Sequence, residues 1–61
     1  MIELTRLNGK NIVINCELIQ YIEETPDTVI TFNNGTKILV KEECDEIKEK
    51  VLEYKREIMR F

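Results

Sequence analysis

Through the first two-thirds of the chain, short apolar runs alternate with turn signals. Residues 2–7 and 10–14 flank Asn8-Gly9, and residues 28–33 and 36–41 flank Asn34-Gly35. Asn-Gly between β-rich segments favours a two-residue type I′ hairpin, because both central positions of that turn need positive φ. A further extended run covers residues 18–24, after an irregular stretch at Asn15-Cys16-Glu17. Between this run and the next lies Thr25-Pro26-Asp27-Thr28. There Pro26 presets φ for a turn, and the Asp27 side chain can bond the backbone beyond it. From residue 43 the periodicity changes. Residues 43–61 contain no Gly or Pro, and Cys44, Ile47, Val51, Tyr54, Ile58 and Phe61 recur at alternating steps of three and four. That spacing is the seam of one helical face. Leu52 and Met59 form a second, narrower apolar line on the same helix. Acidic Glu42, Glu43, Asp45 and Glu46 crowd its start, while Lys55, Arg56 and Arg60 lie near its end. Each well-placed charge suits the helix dipole by roughly 0.3–1 kcal/mol, and Glu46 with Lys50 adds an i,i+4 pair.

The pattern predicts an α+β fold in one domain. A small antiparallel sheet of four to five strands with two Asn-Gly hairpins occupies residues 1–41, and one C-terminal amphipathic helix occupies residues 43–61. With a two-residue turn at Asn34-Gly35, Thr31 lies opposite Ile38, Ile30 opposite Leu39, and Val29 opposite Val40. Val29, Thr31, Ile38 and Val40 then share one face, and Ile30, Phe32 and Leu39 the other. In the first hairpin the same count sets Ile2, Leu4 and Val13 against Leu7, Ile12 and Ile14. In the third strand, Ile19 and Tyr21 oppose Leu18 and Ile22. Such a sheet is apolar on both sides, whereas a half-solvated sheet alternates apolar with polar. One helix covers one face. The surplus predicts a homo-oligomer, formed through the uncovered sheet face or the Leu52/Met59 side of the helix. The competing solution is a sheet curled onto its own interior like a small barrel.

Length sharpens that expectation. At 61 residues the chain can bury only a marginal core, and chains of this size commonly need a disulfide, a metal or self-association. Cys16 and Cys44 supply neither a C-x-x-C pair nor a zinc-ligand pattern, and there is no histidine. Met1-Ile2-Glu3-Leu4 has neither the basic nor the apolar region of a signal peptide, so the expected compartment is the reducing cytoplasm, where paired thiols are rare. Both cysteines therefore read as small, partly buried hydrophobes. No apolar stretch approaches the roughly 20 residues that span a bilayer, so no membrane insertion is expected.

Charge and residue types narrow the function. The net charge is −3, with three basic against five acidic side chains in residues 1–40 and six against seven in residues 41–61. No basic patch stands out in those counts, which argues against nucleic acid. Glu23, Glu24 and Asp27 lack the ligand spacing of a calcium loop, and neighbours on a strand point to opposite faces. Thr5-Arg6 could grip an anion, but an ordinary cross-strand pair explains it as well. Tyr21 packs in the sheet or lends its hydroxyl to a partner. With no positioned base beside a nucleophile, an enzyme is not expected. No cofactor, metal or small-molecule substrate is expected either.

The blocks Ile2-Glu3-Leu4-Thr5-Arg6-Leu7-Asn8-Gly9 and Tyr21-Ile22-Glu23-Glu24-Thr25-Pro26-Asp27-Thr28-Val29-Ile30-Thr31 resemble the FlbD/SwrD family of small flagellar proteins. The likeness extends to Asn34-Gly35, Val40-Lys41-Glu42 and Tyr54-Lys55-Arg56. It implies a cytoplasmic, non-enzymatic accessory factor of bacterial flagellar motility and swarming, peripheral to the motor at the inner membrane. Its implied partners are stator or basal-body proteins, whose contacts would support motor power. No active site carries over. The candidate contact residues are the motif positions displayed at turns (Arg6, Asn8, Glu24, Thr25, Pro26 and Asp27), together with Leu52 and Met59 on the helix. Asn8 and Pro26 are equally explained by the demands of the turns themselves. A faint echo of the β-rich LytTR DNA-binding domain in residues 18–23, 29–32 and Asn34-Gly35 gives the rival class, a nucleic-acid-binding regulator. Its cost is the missing cluster of phosphate-binding Lys and Arg.

Overall fold

The computed structural model describes residues 1–58; Met59, Arg60 and Phe61 lie outside the described residues. Strands β1 (Ile2–Thr5) and β2 (Asn11–Ile14) form one antiparallel pair. After a 3-10 turn at Cys16–Leu18, strands β3 (Ile19–Glu24), β4 (Thr28–Phe32) and β5 (Lys37–Val40) form a three-stranded antiparallel sheet in chain order. Helix α1 (Cys44–Ile58) follows. This is the α+β architecture expected, with five strands and one C-terminal helix.

The two hairpin turns differ from the expected geometry, and the difference propagates. A type I′ turn would put positive φ on the asparagines, yet among the described residues only Gly9 (φ 88°) and Gly35 (φ 90°) have it. Instead the Gly9 amide donates to the Arg6 carbonyl at 2.9 Å, and the Arg6 amide donates to the Lys10 carbonyl at 2.8 Å. At the second turn, the Gly35 amide donates to the Phe32 carbonyl at 2.9 Å and the Phe32 amide to the Thr36 carbonyl at 2.8 Å. Each is a three-residue loop, a type I turn closed by a glycine in the left-handed region. The asparagine side chains hold this form: Asn8 Oδ1 accepts from the Lys10 amide at 2.9 Å, and Asn34 Oδ1 from the Thr36 amide at 3.0 Å. An asparagine that bonds the amide two residues on has no need of positive φ.

The extra loop residue shifts each register by one and exchanges the faces, as a one-residue slip must. Ile30 pairs with Ile38 and Thr28 with Val40, while Ile2 pairs with Ile14 and Leu4 with Ile12. These positions point inward: Ile2, Leu4, Ile14, Ile30 and Val40 are core residues, with Ile12 and Ile38 packed against them. Val29 pairs with Leu39 and Glu3 with Val13 on the opposite side, while Thr31 pairs with Lys37 and is itself buried. For the first hairpin the expectation of a sheet apolar on both faces is corrected. The first hairpin is apolar within, and outside it shows Val13 among polar neighbours. In β3 a register shift between Ile19 and Tyr21 lets Ile19 and Ile22 both reach the core and leaves Tyr21 exposed. Ile19 and Tyr21 therefore do not share a face as expected, and Leu18 is exposed in the 3-10 turn.

An antiparallel bridge between Arg6 and Val40 joins the two sheets. There the Lys41 amide donates to the Thr5 carbonyl at 2.8 Å. The bridge thus sets β1 of the two-stranded sheet beside β5 of the three-stranded one. Helix α1 packs against β1 and β3. Its seam is as expected over most of its length: Ile47 is fully buried, and Val51 and Tyr54 pack on the core. Ile58 and Leu52 are exposed. Cys16 is buried, Cys44 is half-buried, and both are free thiols. No helix among the described residues is long and apolar enough to cross a membrane.

Candidate functional site

The Arg6–Val40 bridge brings the first hairpin tip against β5 and the loop after β3, joining segments far apart in sequence. Arg6, Leu7 and Asn8 line a shallow cleft of about 370 Å³ with Lys37, Ile38 and Leu39. An adjoining cleft of about 340 Å³ is lined by Leu7, Glu24, Pro26, Asp27, Thr28, Val40, Lys41 and Glu43. Leu7 belongs to both. Arg6, Asn8, Glu24, Pro26 and Asp27, chosen from separate motif blocks, are thereby placed around one region of the surface. Thr25 is exposed between Glu24 and Pro26. Leu52 is exposed on α1 and lines neither cleft. Met59 lies outside the described residues.

Several of these side chains have structural work that accounts for them. Asn8 shapes its turn through the bond to Lys10. Glu24 ends β3 and reaches the start of α1, where its Oε1 accepts from the Cys44 amide at 2.9 Å. The first amides of a helix have no partner within it, and a carboxylate there satisfies a donor and meets the positive end of the dipole. Residue 43, where a Ser, Thr or Asp side chain would normally cap, is a glutamate. Its own amide donates to Glu46 Oε1 over a longer 3.5 Å. The cap is therefore supplied from another strand. The hydrogen bonds from the Cys44 amide and thiol hold the Glu24 carboxyl below its ordinary value. Partial burial, with the hydrogen bond to Glu24 and the Glu24 charge, pushes the Cys44 thiol up.

A second glutamate closes the same junction. Glu42 Oε1 accepts from the Thr5 amide at 2.9 Å, next to the point where β1 meets β5. Burial alone would raise its carboxyl, but the bonds from the Thr5 and Glu42 amides and the Lys50 charge outweigh that and lower it. The ends of β1, β3 and β5 and the start of α1 are thus tied together beneath the clefts.

Sequence reasoning passed over Leu7, Lys37, Leu39 and Lys41. The available signal was positional: Arg6 and Lys10 flank the first turn, and Lys37 and Lys41 bracket the strand that this turn meets. Elsewhere, Leu18, Phe32, Asn33, Asn34 and Thr36 line a smaller cleft of about 240 Å³ beside the second turn. Among the described residues, no three His, Cys, Asp or Glu side chains lie close enough to hold a metal ion. Compared with known families, residues 1–59 match the one described as FlbD: Flagellar and Swarming motility proteins. The searches of curated proteins and of solved structures gave no match.

Proposed function

Because this chain belongs to the FlbD family of flagellar and swarming motility proteins, we propose that it supports motor power as a non-enzymatic accessory factor, through contacts with stator or basal-body proteins. The observation that carries this reading is the match over residues 1–59, almost the whole length of the chain. The geometry agrees with a binding module. Leu7 and Leu39 stand exposed side by side, in clefts too shallow to enclose a small substrate. Exposed Val13 and Tyr21, on the outer sides of the two sheets, offer apolar area through which copies of the chain would self-associate at the cytoplasmic base of the flagellum.

The test is deletion of the gene, followed by counting flagella and measuring torque on tethered cells. The expected result is a strain that builds flagella but turns them with reduced torque and swarms poorly. Full torque in a strain that still assembles flagella overturns the motor-power reading.

A further inference from the structure

We propose that residues 6–8 and the outward side of β5 form a docking surface for an acidic protein segment that carries leucine-like side chains. The proposal rests on the reading of the chain as a protein-binding module and specifies the chemistry of its partner.

Charge placement carries it. The chain is acidic, with a net charge of −3, yet the four cations of residues 1–41 gather where the first hairpin meets β5. Arg6 faces Lys10 across the hairpin, its amide bonded to the Lys10 carbonyl at 2.8 Å. Arg6 also bridges to Val40, the neighbour of Lys41, and lines one cleft with Lys37. All four are exposed. The ion pairs among the described residues are Lys48 with Asp45 and Lys55 with Glu17, and none of the four takes part in one. Clustered like charges repel one another and add nothing to this fold, so their placement favours something that arrives from outside.

The apolar part of the surface lies within the same cluster. Leu7 is 45% exposed and Leu39 42%, and both line the cleft whose floor includes half-buried Ile38. An apolar centre rimmed by charge is the anatomy of a protein interface, in which the centre supplies affinity and the rim supplies selection and approach rate. On the far side of Leu7, Glu24, Asp27 and Glu43 outnumber Lys41 and the rim turns acidic, so a bound segment is oriented with its carboxylates toward Arg6 and Lys37. A long polyanion suits the site less well. It would have to pass that acidic rim and the acid-rich start of α1, against the net charge of the chain.

The experiment titrates the isotopically labelled full chain with a synthetic amphipathic peptide of Glu, Leu and Ala, and with the same peptide carrying Lys for Glu. Amide shifts centred on residues 6–10 and 37–41, weakened by added salt, are expected for the acidic peptide. Its affinity should exceed that of the basic peptide by about tenfold or more. The double variant R6E/K37E should lose a comparable factor while keeping its circular dichroism spectrum, and L39S should weaken binding at low and high salt alike. Equal binding of the two peptides, or shifts confined to other surfaces, overturns the proposal. So does a dimer of the native chain that R6E/K37E dissolves in sedimentation, which would make a second copy the occupant. Displacement of the acidic peptide by anionic vesicles or duplex DNA at equal charge concentration would assign the surface to a lipid or nucleic acid instead. The two readings fail separately. If R6E/K37E fully restores torque to the deletion strain, this surface is wrong and the motor role stands; if deletion leaves torque unchanged, the motor role falls and peptide binding is unaffected.

Discussion

Shortening Ile47 tests whether α1 is held to the sheet by the one helix residue that the core fully encloses. Ile47 is 0% exposed and packs in the cluster with Ile2, Leu4, Ile30 and Val40. Replacing a buried Ile by Ala costs about 2–5 kcal/mol, from lost transfer energy and the cavity left behind. A chain of 61 residues has a total stability of only about 3–9 kcal/mol at the usual value per residue. Ile47→Ala is therefore expected to remove from about a fifth to all of the stability, which shows as a large drop in the urea midpoint. The milder Ile47→Val should cost about 0.5–1.5 kcal/mol, which for a chain this small lowers Tm by about 2–12 °C. Leu52→Ala is the control, since a 50% exposed side chain should change stability by no more than about 0.5 kcal/mol. Val51→Ala, at a partly buried position on the same seam, should fall between Leu52→Ala and Ile47→Ala. Urea unfolding followed by far-ultraviolet circular dichroism gives all four values. It must be run at one fixed protein concentration, because self-association would add its own stabilisation. A cost below about 1 kcal/mol for Ile47→Ala with an unchanged urea slope is half the least expected of such a cavity, and would refute the docking of α1 through this residue.

The turns and the helix start can be tested in the same way. Adding a Cβ at Gly35 meets no atom within 4 Å, so Gly35→Ala should cost only the left-handed backbone penalty, about 1–2 kcal/mol. A synthetic chain with D-alanine there should lose nothing, and equal urea midpoints for the two enantiomers would contradict the left-handed assignment. The lowered carboxyls of Glu24 and Glu42 make stability depend on acid. Their contribution is complete above the ordinary value of 4.5 and is lost as pH falls through the depressed native values. At the alkaline end, the raised Cys44 thiol makes stability fall as pH rises past 9.0, because the unfolded chain loses that proton first. Urea midpoints measured across pH should show both limbs. E24Q/E42Q should flatten the acid limb and C44A the alkaline one, and unchanged limbs in these variants would overturn the assignments.

The elements were legible because their signals are local. Strand and helix positions follow from periodicity and from Asn-Gly, Pro26 and the uninterrupted run after residue 43. What the sequence hid was the choice between two turns that share the same dipeptide. That choice depends on whether Asn8 and Asn34 bond forward to Lys10 and Thr36, and it pairs the fully buried Ile30 with Ile38 in place of the expected Leu39. The shift at Gln20 in β3 left no sequence signal either. The cap on α1 was equally hidden, since local capping rules look three residues along the chain, and Glu24 is 20 positions from Cys44.

The candidate surface was half legible for a related reason. Turn residues announce themselves, so Arg6, Asn8, Glu24, Pro26 and Asp27 could be named, but their neighbours could not. Counting charge over residues 1–40 and 41–61 separates Lys41 from Arg6, Lys10 and Lys37, whereas the Arg6–Val40 bridge sets all four around one strand. The same bridge explains why contact and stability are entangled here. Glu42 anchors β1 beside it, and Glu24 holds the helix start while lining the cleft with Leu7. Loss of function on replacing Glu24 would therefore speak first of the fold. Arg6, Lys37 and Leu39 are exposed, their side chains take no part in a hydrogen bond or ion pair among the described residues, and they are the positions at which binding can be changed while the core is left intact.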